Sequence, residues 1–199
     1  MQRERFFGGR PSKSLVMFAV MSGAALFGAL FGTMCCLRSD TRLGQWLLSH
    51  QCSALQMRFD REYARVMLVS FLGNAVFIAL AFVMGLSAVS QLPEFILPFF
   101  RGIGLGVTLC GAVSGGFCRR MLVNTAAVLP GAFFSLVITV LACREAVFLS
   151  DRLAVICLKD RITDGMGERI KLYAARFAGL VALAAANAVI DCGLSNLMR

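Results

Sequence analysis

The sequence predicts an all-α protein, a polytopic bundle of transmembrane helices forming one integral membrane domain over residues 1–199. Three observations predict it. Hydrophobic residues make up 58% of the chain and charged residues only 16%, which is more apolar surface than one small globular core buries. A hydrocarbon layer about 30 Å thick needs roughly 20 mostly apolar residues per crossing, and five windows of that kind occur, at 14–37, 66–89, 95–116, 121–143 and 172–190. Backbone groups cannot go unpaired in lipid, and the chain lacks the short period-two segments of a membrane barrel, so the windows are helices.

The net charge of +9 does not point to nucleic acid. The basic residues flank the apolar runs and form no stripe interleaved with aromatics, a pattern that suits anchoring at the surface of the lipid bilayer. Of the eight cysteines, Cys35, Cys36, Cys110 and Cys143 fall inside the windows and no CxxC pair occurs, so they read as small apolar packing residues. No metal or cofactor is expected.

In chain order, Arg3, Arg5, Arg10 and Lys13 face a single acid, Glu4, ahead of the first window. That basic flank predicts a cytoplasmic N-terminus. The first window, 24 residues long, is too long for the core of a cleaved signal peptide, so the run reads as a retained anchor. Within it Ala24, Gly28 and Gly32 recur every four residues, a small-xxx-small face that another helix can approach closely. The connection 38–65 contains Trp46 among alternating apolar and polar residues and reads as an interfacial helix; it also holds His50, the chain's one histidine, beside Cys52. One His and one Cys fall short of the three or four ligands a metal site needs.

The second and third windows read as a hairpin around Pro93. On the first arm Ser70, Asn74, Ala81, Gly85 and Ala88 fall within about a 60° arc at 100° per residue. On the second Arg101, Gly104, Thr108, Gly111 and Gly115 fall within about an 80° arc. Two such small faces are expected to pack as an antiparallel pair. Arg101 either snorkels to the interface or turns inward to Asn74, Glu94 or Asp191.

The fourth window comes after the basic turn Cys118-Arg119-Arg120 and sets Asn124, Gly131 and Ser135 on one face, with Pro130 removing a backbone hydrogen bond near mid-span. The stretch 146–158 is interrupted by Asp151 and Arg152 and reads as an interfacial helix within a second long connection, 144–171. The last window is rich in alanine, with Gly179, Ala182 and Ala186 on one face. It ends near Asn187 and Asp191, with Asp191 reaching the interface. With the N-terminus inside, cytoplasmic segments hold ten Lys/Arg and outer segments eight.

No pair of carboxylates, Ser/His/Asp set or Cys/His set recurs at useful spacing, so an enzyme is not expected. Asn74, Arg101, Asn124 and Asn187 suit either interhelical hydrogen bonds or the lining of a transport path.

The hairpin and the fourth window resemble the stage II sporulation protein M family of bacterial integral membrane proteins. The matching positions are Gly73-Asn74, Gly85, Phe99-Phe100, Arg101-Gly102 and Gly106, with a later element Leu129-Pro130-Gly131-Ala132-Phe133-Phe134-Ser135. The resemblance covers roughly residues 65–151. Arg101 stands where family members usually carry Asn, and Gly131 and uncharged residues stand where they carry His and then Glu. The resemblance implies a role in engulfment during endospore formation, as a non-enzymatic scaffold in the bacterial cell membrane for two peptidoglycan-degrading enzymes, a lytic transglycosylase and an amidase. A second copy of the chain is a further candidate partner. A transporter or permease subunit of a small-molecule export system is the alternative, resting on Asn74, Arg101 and Pro130 within the windows.

Overall fold

A computed structural model describes residues 13–37, 63–87, 91–114, 119–159 and 166–197, all of the regular structure there being helical. The helices are α1 (Lys13–Leu37), α2 (Tyr63–Gly85), α3 (Gln91–Ser114), α4 (Arg119–Lys159) and α5 (Met166–Leu197). Among the described residues four stretches are long and apolar enough to cross a membrane: Leu15–Leu37, Ala64–Gly85, Val128–Ala154 and Gly167–Leu194. The expected interfacial helix around Trp46, with His50 and Cys52, lies outside the described residues.

The burial pattern reflects a lipid surround. Large apolar side chains point outward, among them Leu26, Phe27 and Leu30 on α1, Leu72 and Val83 on α2, and Phe133 and Phe134 on α4. Polar side chains point inward: Asn74, Glu94, Ser135, Thr139, Ser150, Asn187 and Asp191 are all buried. Lipid tails solvate Leu and Phe as well as a protein core does, so packing and interhelical hydrogen bonds, not apolar burial, choose which faces meet.

Contacts fix the relative directions. Gly28 lies against the Phe99 backbone and Gly32 against Ile103, so α1 and α3 run parallel. Ser135 meets Asn74 and Ser150 meets Ser87, so α2 and α4 are parallel. Asp191 reaches Ser70 and Tyr173 reaches Phe82, so α5 is antiparallel to α2. Arg101 reaches Ser135 while Glu94, earlier on α3, lies near Cys143, later on α4, so α3 is antiparallel to α4 in this alternating bundle.

The expected hairpin pair does not form. α3 packs along the whole of α1 and then against α4, and touches α2 only briefly. The interface is reciprocal: Gly102 and Gly106 on α3 lie against the backbone of Ala25 and Ala29 on α1, while Gly28 and Gly32 receive α3. A Cβ at any of the four would run into main-chain atoms of the other helix. Gly104, placed on the packing face by the sequence pattern, is exposed instead, with nothing within 4 Å of an added Cβ. The reason is that α3 is wedged between two helices: its buried positions, from Leu97 round to Val107, span about 280° of its circumference at 100° per residue, and Gly104 falls in the gap that remains. Thr108, one turn on, is half-buried and donates to Gly104 O within the helix at 2.9 Å. Gly111 lies on α3 and Asn124 on α4, their surroundings outside the described residues, as is Gly115 altogether.

A second difference concerns 144–171. α4 is one helix of 41 residues, unbroken through Pro130 and on to Lys159, so 146–158 is not a separate interfacial element. Its buried line continues through Ala142, Cys143, Ala146, Val147, Leu149 and Ser150. The charges read as a helix exit are accommodated in place. Glu145 pairs with Arg176 of α5, and the Arg144 guanidinium lies 5.6 Å from the Phe148 ring centroid. At about 1.5 Å per residue α4 is about 62 Å long, twice the hydrocarbon thickness of about 30 Å.

α2 ends at Gly85, where Val83 O and Met84 O accept from Leu86 N at 3.3 Å and Ser87 N at 2.9 Å, and neighbouring helices meet further carbonyls at this end. Tyr173 Oη donates to Phe82 O at 3.1 Å and Ser150 Oγ to Ser87 O at 2.8 Å. Gly85 itself admits the Tyr173 hydroxyl and the Ala146 backbone where a Cβ would sit. Tyr173→Phe keeps the ring against Phe82 and Phe177 but leaves a buried carbonyl short of a donor. The expected cost is about 1 kcal/mol, read as a lowered unfolding temperature of the detergent-solubilised protein.

Candidate functional site

Of the polar side chains singled out along the sequence, Ser70, Asn74, Arg101, Ser135, Asn187 and Asp191 meet inside the bundle, where α2, α3, α4 and α5 converge. Arg101 does not snorkel. Its guanidinium turns inward, donating to Asn74 Oδ1 at 2.6 Å and to Ser135 Oγ. Ser135 Oγ in turn donates to Asn74 Oδ1, so the three close a triangle across three helices. The Phe77 ring centroid lies 5.1 Å from Arg101 Cζ and covers the cation with an aromatic face. Asn74 is 2% exposed, and its amide nitrogen has no hydrogen-bond partner among the described residues. One turn further along α4, Thr139 Oγ1 bonds back to Ser135 O at 3.0 Å, holding the Ser135 turn.

The second half of the cluster belongs to α5. Asp191 is buried, contrary to its expected place at the interface, and accepts from Ser70 Oγ at 2.8 Å. Its carboxylate fills the space a Cβ would take at Gly131, and it is the charge to which Arg101 couples electrostatically. Asn187, one turn earlier, donates through Nδ2 to Gly131 O at 3.3 Å. α5 is thus pinned to α4 at a glycine because a carboxylate must enter there. Burying a charged carboxylate in lipid is tolerable only with opposite charge and donors close by.

Among the described residues no three His, Cys, Asp or Glu side chains stand where one metal ion could bridge them. What the arrangement does is bind helices to one another by charge-assisted hydrogen bonds in a low-dielectric interior. Of the residues singled out from sequence, Ser70, Asn74, Arg101, Gly131, Ser135, Asn187 and Asp191 are in this cluster. Gly28, Gly32 and Gly85 are buried at helix crossings, while Gly104 and Gly179 are exposed with open space at an added Cβ. Ser135 as a partner of Arg101, Tyr173 as the group closing α2, and the complete burial of Glu94 were not foreseen. Ser135 shares the small face of Gly131, which was the one usable signal.

The fold and this cluster define a multi-pass helical membrane protein locked by an internal polar network. No protein-family profile, curated protein or solved structure matches the chain.

Gly131→Ala is expected to destabilise by about 2 kcal/mol, because the new methyl group and the Asp191 carboxylate cannot share one space. Asp191→Ala in the same chain should recover part of that loss although it costs stability alone. Thermal unfolding of the two single variants and the double variant measures the coupling.

Proposed function

We propose that the protein is a non-enzymatic scaffold in the bacterial cell membrane, N-terminus in the cytoplasm, that anchors peptidoglycan-remodelling enzymes during engulfment in endospore formation. One observation carries the reading. Ala175, Gly179, Ala182 and Ala186 form an exposed small-residue face on α5 that no other described helix covers, whereas the small face of α1 is filled by α3. A face of this kind lets a partner's transmembrane helix approach backbone to backbone. The resemblance of 65–151 to the stage II sporulation protein M family supplies the class of partner, a lytic transglycosylase and an amidase. The basic N-terminal flank supports the orientation.

The test is affinity capture of tagged chain from sporulating cells, with Gly179→Leu/Ala182→Leu as the comparison. Wild type should bring down both hydrolases and the variant neither, while remaining inserted and helical. Capture of no cell-wall hydrolase by wild type sinks the reading.

A transporter or permease subunit is the second reading, favoured by Arg101 and Asp191 held inside the membrane part of the bundle. It requires solute flux into proteoliposomes that Arg101→Met abolishes.

A further inference from the structure

A groove of about 360 Å³ opens between α4 and α5, at the end of the bundle where α2 stops and α5 begins. Four arginines line it, Arg144 and Arg152 from α4 and Arg169 and Arg176 from α5, against one carboxylate, Glu145. Arg169 and Arg176, seven residues apart, fall within about 20° on α5, and Arg144 and Arg152, eight apart, flank the groove about 80° apart on α4. The antiparallel helices therefore set two guanidinia opposite two. Glu145 is taken by Arg176, and Arg144 is steadied over Phe148. Arg152 and Arg169 are exposed and form no ion pair among the described residues. The polar network of the bundle interior does not use this site.

Guanidinium groups gathered around one concavity attract an anion, and forked guanidinia match phosphate oxygens two at a time. The rest of the wall is apolar, with Leu172 exposed beside Phe148. Arg144 and Arg176 lie toward the apolar part of their helices and Arg152 and Arg169 away from it. That layering is the layering of a glycerophospholipid, whose phosphate sits just above its acyl chains.

We propose that this groove binds the phosphate of an anionic glycerophospholipid, held by Arg152 and Arg169 with Arg144 beneath, while its acyl chains run down the Leu172 wall. The site requires only that the chain lie in a bilayer and is independent of the scaffold reading. A soluble phosphate shares the chemistry but leaves the apolar wall uncovered.

Native mass spectrometry of the full chain, released from micelles containing equal phosphatidylglycerol and phosphatidylcholine, tests this. Wild type should retain phosphatidylglycerol with about tenfold preference, equivalent to one added charge-assisted contact. Arg152→Gln/Arg169→Gln should remove that preference, and Arg152→Lys/Arg169→Lys should keep most of it. Both positions are exposed, so circular dichroism should show unchanged helix. Equal retention of the two lipids by wild type, or an undiminished preference in the Gln variant, overturns the proposal. Displacement of the lipid by millimolar inorganic phosphate overturns the lipid assignment and leaves a soluble phosphate as the ligand.

Discussion

Replacing Gly106 by leucine is expected to cost about 3 kcal/mol or more and to separate α1 from α3. A Cβ at this position already runs into the Ala29 carbonyl and approaches Thr33 N at 2.9 Å. These are main-chain atoms of a helix whose own hydrogen bonds prevent it from yielding. The lost contact would include the Thr33 hydroxyl, which donates to Ala29 O at 2.7 Å and reaches Gly106 O at 3.5 Å across the interface. Cys36 and Cys110 lie buried together at the far end of the same interface, so their reaction with a thiol-reactive fluorophore reports its opening. In Gly106→Leu that reaction should begin at a clearly lower temperature than in wild type. Gly104→Leu, two residues away on the exposed face, should stay within about 0.5 kcal/mol of wild type. Equal behaviour of the two variants would refute the parallel pairing.

Asn74→Leu should cost about 3 kcal/mol, because it takes an acceptor from a cation with no bulk water to turn to. Arg101→Met should cost less, since Ser135 still donates to Asn74 Oδ1 when the guanidinium is gone. The decisive measurement is the combined variant. Asn74→Leu/Arg101→Met replaces an interacting polar pair by apolar groups of similar length, and should be more stable than the sum of the single losses by about 2 kcal/mol. Unfolding in mixed micelles, followed by helical circular dichroism, gives the four stabilities needed. Strict additivity would mean that the two side chains do not share a bond.

The membrane-helical class and the inward face of α2 were legible because both depend on residues close in sequence. Apolar length and a polar stripe on a bulky helix need no knowledge of neighbours. Which helices meet was not legible. Short connections make consecutive helices the default neighbours, and a single wheel on α3 selected the arc of Arg101, Gly104 and Thr108. The helix is wedged between two partners, however, and its second buried face, Gly102 and Gly106, can be recognised only against the matching Gly28 and Gly32 some seventy positions earlier. The length of α4 was hidden for a similar reason. Arg144 and Glu145 look like a helix leaving the membrane until Phe148 and Arg176 are placed beside them. Asp191 looked like an interfacial residue because its glycine partner, Gly131, is sixty residues away and has no side chain to announce the match.

The parallel pairing of α1 with α3 also sets a timetable for synthesis. The glycine face of α1 is made first, and its partner emerges from the ribosome only after about 70 further residues, an interval on the order of 4–15 s at roughly 5–20 residues per second. During that interval α2 is made while the small-residue face of α1 still lacks the helix that fills it. The nascent chain is therefore open at that stage to a chaperone or insertase that recognises a helix by its glycines, and it closes to such a helper once Gly102 and Gly106 arrive.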